Sequence, residues 1–177
     1  MLETLISSKT RIKLLLKFFL NSKMTAYLRS LESEFGDSTN AIRLELNRLE
    51  KAGMLSSFMK GNKKMFTANT QHPLFGEVHN ILLKHIGIDR LIEGVIDRLG
   101  TVDLVYLSGQ FAQGLDSPII DLVLIGKIDK AYLIRLIERI EPIIKRKVRY
   151  IIYEQEEFTE AIINSFTPLP ILLWSKD

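Results

Sequence analysis

A chain of 177 residues, 46% apolar and 25% charged, suits one ordinary domain or two small ones and lies far from the composition of disordered segments. No stretch approaches the ~18 uninterrupted apolar residues of a membrane span, and zero cysteines exclude disulfides, thiolate metal sites and a cysteine nucleophile. His72, His79 and His85 are too few and too apolar in setting for a zinc site, so no metal or cofactor is expected.

Residues Met1 to Leu20 are apolar in places, but Lys9, Arg11, Lys13 and Lys17 break them at helical spacing, as in a charged amphipathic helix rather than a signal peptide. The expected compartment is the cytoplasm. Charge is divided unevenly along the chain. Residues 1–70 hold 12 lysines and arginines against 6 acids, whereas residues 71–177 hold 12 against 15. A basic front domain (1–70) and a mildly acidic back domain (71–177) are therefore expected, and any polyanion partner belongs to the front.

The first predicted helix runs from about Lys9 to Leu20, with Ile12, Leu15, Leu16 and Phe19 on one face. The second runs from Thr25, a candidate N-cap, to Phe35, with Leu28, Leu31 and Phe35 inward and Gly36 as the stop. A third begins after Asp37 or Ser38 and ends near Ala52, where Gly53 suits the left-handed position. On a wheel of this third helix, Ile42, Leu46 and Leu49 cluster on one side. Asn40, Arg43, Leu44, Asn47, Arg48 and Lys51 fall opposite, with Glu45 and Glu50 toward the flanks. Such a face in isolation is most simply a solvated one. Its context argues otherwise: short strands at Met54–Phe58 and Met65–Thr67 flank Gly61-Asn62, a hairpin turn signal, and Lys60, Lys63 and Lys64 surround the tip.

Helix, helix, outward-cationic helix and basic hairpin form, in that order, a winged helix-turn-helix. Through Asn40-Ala41-Ile42-Arg43, the run LNRLEKAGML at 46–55 and GNKKMF at 61–66, residues 9–69 resemble the arsenic-repressor-type winged-helix domains of small bacterial regulators. The resemblance implies that Asn40, Arg43 and Leu44 reach base edges, while Asn47, Arg48, Lys51, Lys60, Lys63 and Lys64 meet phosphates of double-stranded DNA. Metal sensing, frequent in that group, does not carry over, because the cysteine and histidine ligands are missing.

His72-Pro73 marks the boundary. A helix is expected over Leu74–Ile86, broken at Gly87, and another from Asp89, a candidate cap, to about Leu99. VDLVYL (102–107) and IIDLVLI (119–125) read as buried strands. Asp129 caps a long helix to about Arg146 with a kink at Pro142; Val148–Tyr153 is a third strand and Glu156–Asn164 a last helix. The fold class is α+β: a winged helix followed by a small α/β domain with a mixed sheet.

The segment from Ser108-Gly109-Gln110 through Gly114 to Asp116-Ser117-Pro118-Ile119-Ile120-Asp121 resembles the minimal nucleotidyltransferase signature, over about residues 74–174. In that family a Gly-Ser turn grips a triphosphate and an Asp-x-Asp strand holds Mg²⁺. Here Gly109 matches the glycine but Gln110 stands in place of the serine. Asp121 matches the second aspartate but Ile119 stands in place of the first. One carboxylate is a poor magnesium site, so no catalytic residue is expected. Asp121 is read more simply as a turn cap or a partner of Arg149. Gly109, Gln110 and Asp121 remain candidates for nucleotide binding, with Arg149 or Lys127 for a phosphate.

The sequence is therefore read as a homodimeric, DNA-binding transcriptional regulator with a non-catalytic back domain that takes an effector or a protein. The candidate dimer surfaces are Leu14 and Phe18 on the first helix, or the Trp174 end. Alternatives are an active nucleotidyltransferase using Asp116 and Asp121, a nucleotide sensor, or an antitoxin-like protein-binding module.

Overall fold

The computed structural model describes residues 2–92 and 98–176, which divide into two units, Met1–His85 and Ile86–Asp177. Each has its own sheet, giving a mixed α+β chain with one three-stranded and one four-stranded sheet.

In unit 1 a short helix α1 (Leu2–Leu5) precedes α2 (Lys9–Leu15), which starts where the Ser8 hydroxyl accepts from the Arg11 N–H (3.2 Å) and runs on as a π turn over Leu16–Leu20. Ile12, Leu14, Leu15, Leu16, Phe18, Phe19 and Leu20 are all buried. From Leu14 to Leu20 every side chain is buried, so this end of the helix lies inside the unit. Leu14 and Phe18, both 0% exposed, therefore belong to the core and not to a dimer surface. Lys17 is buried too, its ammonium 2.6 Å from Glu34 Oε1; burying that charge requires such a partner.

The second helix starts later than expected. Ala26–Tyr27 forms β1, and α3 spans Leu28–Phe35, so Thr25 does not cap it. Ser30 Oγ accepts from the Tyr27 N–H (3.2 Å) and donates to the Tyr27 carbonyl (2.7 Å), closing the first turn. Helix α4 (Thr39–Lys51) opens where Ser38 Oγ accepts from the Ala41 N–H, and Gly53 takes the left-handed conformation (φ 74°) just beyond its end. Strands β2 (Leu55–Lys60) and β3 (Lys63–Ala68) then pair in register from Lys60↔Lys63, so the turn is Gly61-Asn62 alone. β1 joins β3 on the other side.

Ile42, Leu46 and Leu49 of α4 are buried as expected, but so is Glu45, which the wheel places at the flank. Its carboxylate accepts from Arg11 Nε at 2.8 Å and from an Arg11 terminal nitrogen at 3.3 Å, and Arg48 lies 3.1 Å away. Burial pulls the Glu45 carboxyl up; the hydrogen bonds from Arg11 and Ser8 and the two guanidinium charges outweigh that and hold it below the ordinary carboxylate range.

Helix α5 (Phe75–Ile86) ends unit 1. Phe75 stacks on Phe19 with centroids 5.5 Å apart, and His79 Nδ1 lies 2.8 Å from the Phe19 carbonyl. The division falls at 85/86 rather than at 70/71, and Phe75 and His79 of α5 meet Phe19 of the π turn within unit 1.

Unit 2 begins with α6 (Asp89–Ile92), in which Asp89 is the first helical residue rather than its cap; the expected continuation over residues 93–97 lies outside the described residues. There follow β4 (Gly100–Ser108), α7 (Gly109–Ala112), β5 (Ile119–Ile128), α8 (Lys130–Ile144), β6 (Lys147–Tyr153), α9 (Glu160–Ser165) and β7 (Ile171–Ser175). The sheet order is β6-β5-β4-β7, with β5 and β6 parallel and the other pairs antiparallel. Asp129 Oδ1 accepts from the Tyr132 N–H (2.9 Å) to start α8, whose Leu133 and Leu136 share a small apolar space with Val105, Leu122 and Leu124. Side chains alternate along β5, so Asp121, Val123 and Ile125 fall on the opposite face. α9 starts four residues after the expected Glu156, since Glu154–Glu157 closes a turn. β7 was not expected; it brings Trp174 opposite Val105 as an edge strand.

Among the described residues, no helix is long and apolar enough to cross a membrane.

Arg11→Met leaves the Glu45 carboxylate buried with Arg48 and the Ser8 hydroxyl as its remaining partners. The variant is expected to lose about 1–3 kcal/mol of unfolding free energy at neutral pH. The wild-type Glu45 carboxyl is held low when folded, so its stabilisation is present above the ordinary carboxylate value and is lost as pH falls through the folded one. The gap between variant and wild type should therefore close on acidification, as read by urea denaturation from pH 7 to pH 3.

Candidate functional site

Two grooves bring together several polar side chains singled out by sequence. The first, about 540 Å³, lies in unit 1 between the start of α3, the outer face of α4 and the hairpin. Its floor is apolar: Leu46 and Phe66 are buried, and Tyr27 and Leu28 half-buried. Around this floor stand Arg29, Arg43, Asn47, Asn62, Lys63 and Lys64, all exposed.

Local rules account for each placement. Arg43 and Asn47 are one turn apart on α4, so they project from one stripe while Ile42 and Leu46 point inward. Arg29 comes from the first turn of α3. β1 sets that turn beside the hairpin by pairing Tyr27 with Met65. The two-residue turn delivers Asn62, and β3 then delivers Lys63 and Lys64 to its two faces. Lys63 Nζ lies 4.3 Å from the centre of the Tyr27 ring, a cation–π contact. Lys64 Nζ lies 5.0 Å from that of Phe66 and 2.7 Å from Glu50 Oε2.

Of the residues expected to meet DNA, Arg43, Asn47, Lys63 and Lys64 come together in this groove. Asn40, Leu44, Arg48, Lys51 and Lys60 are exposed outside it, Arg48 being engaged by Glu45. Among the described residues, Arg29, Arg43 and Lys63 form no ion pair. Sequence reasoning missed Tyr27, Arg29 and Asn62. Asn62 had a local signal, read only for its turn. The other two depend on the pairing of β1 with β3, 38 or more residues later in the chain.

The second groove, about 440 Å³, lies on the face of the unit 2 sheet opposite α8, lined by Ser108, Gly109, Asp121, Arg149, Tyr150 and Phe166 among others. Gly109 (φ 64°) packs directly against the Asp121 carboxylate, where a β-carbon would collide with Oδ2. Asp121 Oδ1 accepts from Arg149 Nε at 2.7 Å across the parallel β5–β6 pair. Gln110 is exposed and outside the lining, and Lys127 lines a different groove beside Gly126 and Asp129, so neither joins Gly109 and Asp121. Asp116 turns to Arg146 (2.9 Å) and is no second carboxylate for Asp121.

The magnesium that the nucleotidyltransferase resemblance implies does not fit these residues. One oxygen of Asp121 is occupied by Arg149, the other is closed in by Gly109, and Ile119 supplies no oxygen. Among the described residues, no group of three or more His, Asp or Glu side chains gathers.

No protein-family model matches the chain, and no curated protein matches it. Three solved structures are similar in shape. A toxin-antitoxin structure with AMP-PNP is 16% identical, with 51% of this chain and 75% of that chain covered and a TM-score of 0.39. AF1382 from Archaeoglobus fulgidus is 14% identical, with 53% and 99% covered and a TM-score of 0.38. A mutant of the toxin-antitoxin MntA-HpeT is 15% identical, with 51% and 74% covered and a TM-score of 0.37. Likeness at this level says nothing of activity.

Gly109→Ala strains a left-handed backbone and drives a methyl group into Asp121. A loss of about 1–3 kcal/mol is expected, with Asp121→Ala in the same chain removing part of it. Chemical denaturation of the two single variants and the double variant measures this coupling.

Proposed function

We propose that the chain is a transcriptional regulator that binds double-stranded DNA through unit 1. The order α2, β1, α3, α4, β2, β3 matches a winged helix, with α4 as the reading helix and the hairpin as the wing. A single observation carries this reading: the outward stripe of α4 and the lysines of the hairpin converge with Arg29 on one groove. Paired acids leave Arg43, Lys63 and Arg29 uncompensated there. Arg43 and Asn47 have the forked donors and acceptors that match guanine and adenine edges. Lys63, on the hairpin, suits phosphate. Two chains related by a twofold axis would set two copies of α4 on half-sites about 34 Å apart, so a homodimer on a palindromic site belongs to the proposal.

Unit 2 is read as a nucleotidyltransferase-like domain without transferase activity, because its single candidate carboxylate is bound to Arg149. A second reading of this unit is a protein-binding module of the antitoxin kind. The observation favouring it is that Ile151, in the lining of the Asp121 groove, and Leu172, on the edge strand β7, stand about half exposed. A second chain co-purifying at fixed stoichiometry would support it.

Selection of duplexes from a random pool is expected to return a preferred, palindromic sequence. On that duplex Arg43→Ala should weaken binding by about 1–3 kcal/mol at fixed salt. Lys63→Ala should lower the slope of log K against log salt by about one. Equal affinity of wild type and Arg43→Ala would overturn the reading. Incubation with labelled nucleoside triphosphates and Mg²⁺ or Mn²⁺ is expected to give no transfer; transfer abolished by Asp121→Asn would overturn the non-catalytic reading of unit 2.

A further inference from the structure

Glu50 occupies the last turn of α4, on the side of the hairpin. One of its carboxylate oxygens accepts from the Ser57 hydroxyl on β2, and the other from Lys64 Nζ on β3 at 2.7 Å. A single side chain thus ties both strands to the reading helix. The register explains how. Ser57 pairs with Phe66 and Met59 with Lys64, so these four side chains share one face of the ladder, the face on which Phe66 is buried. Lys63 lies on the opposite face, over Tyr27. Adjacent lysines therefore have different surroundings: Lys64 rests between a carboxylate and the Phe66 ring, and Lys63 over a ring with no acid.

We infer that Glu50 is a positioning residue: it clamps the β2–β3 hairpin to α4 and withholds the Lys64 ammonium from nucleic-acid phosphate, leaving the phosphate contacts of the wing to Lys60 and Lys63. The inference rests on the duplex reading above. Its physical basis is ion exchange. A cation that meets a phosphate without an internal partner displaces a condensed counterion, and each such event steepens the salt dependence. A cation already neutralised by a protein carboxylate must first abandon it, leaving that carboxylate to be screened by salt in turn. The net release is close to zero. The hydrogen bond from Lys64, then that from Ser57, keeps the Glu50 carboxyl below the ordinary range, so the clamp is ionised at neutral pH. The device restrains binding to arbitrary phosphate while it fixes the angle of the wing for a chosen site.

The test measures the salt slope of the full chain on its selected duplex for wild type, Lys64→Met, Glu50→Gln and the double variant. Lys64→Met should leave the slope at the wild-type value. Glu50→Gln keeps an oxygen for Ser57 and frees Lys64, so the slope should steepen by about 0.9. Adding Lys64→Met should return it. A slope that falls by about 0.9 in Lys64→Met alone overturns the inference, as does steepening in Glu50→Gln that survives in the double variant, the mark of a general charge effect. Thermal melting confirms that each variant is folded; where Glu50→Gln is not, the Lys64→Met slope decides. Wild-type chain that binds no duplex overturns the duplex reading and this inference together. Intact binding with the wrong slopes overturns the clamp alone.

Discussion

The carboxylate of Glu45, taken out of water between Arg11 of α2 and Arg48 of its own helix, sets the rotation of α4. Successive helical residues turn by about 100°, so burying Glu45 together with Ile42, Leu46 and Leu49 leaves Arg43 and Asn47 pointing outward. Apolar burial alone would tolerate some roll of the helix. A charge that must keep its two guanidinium partners does not, because losing them inside the unit would be costly. The candidate interface is in this sense held in place by an ion network on the side of the helix away from its floor.

The same logic sorts the charges of the basic front. Its excess of cations is not spread evenly over the surface. Lys17 is spent on Glu34, Lys13 on Asp37, Arg11 and Arg48 on Glu45, and Lys64 on Glu50. Of those left over, Arg29, Arg43 and Lys63 line one groove, whose aromatic and aliphatic floor lowers the local dielectric and strengthens their field, while Lys51 and Lys60 are exposed outside it. Counting lysines and arginines overstates the number available to a polyanion; the internal pairing decides which of them are.

In unit 2 the internal pairing has the opposite consequence. The end of the sheet where β4 turns into α7 is a tight turn at Gly109, in the left-handed conformation. The carboxylate that the turn approaches is neutralised by Arg149 from the next strand. Arg149 supplies a fixed positive charge beside that carboxylate, 2.7 Å from it. The groove is thereby stabilised as a structural joint between β4, β5 and β6.

Much of the fold was legible in residues close to one another. Ser38, Gly36 and Gly53 bound their helices, Gly61-Asn62 makes the hairpin, Asp129 caps α8, and the short apolar runs of β4 and β5 mark strands, because caps, turns and apolar runs act over a few residues. The outward stripe of α4 and the solitary Asp121 were legible for the same reason. The tertiary structure alone decided the rest: that Ala26–Tyr27 and Ile171–Ser175 are strands, that α5 belongs to unit 1, that Gln110 leaves its groove, and that Leu14 and Phe18 are core. It also chose the ion pairs, joining Arg11 to Glu45 across 34 residues and Asp121 to Arg149 across 28. Edge strands and charge partners are satisfied by groups remote in the chain, and no local pattern records which remote group folding will bring within reach.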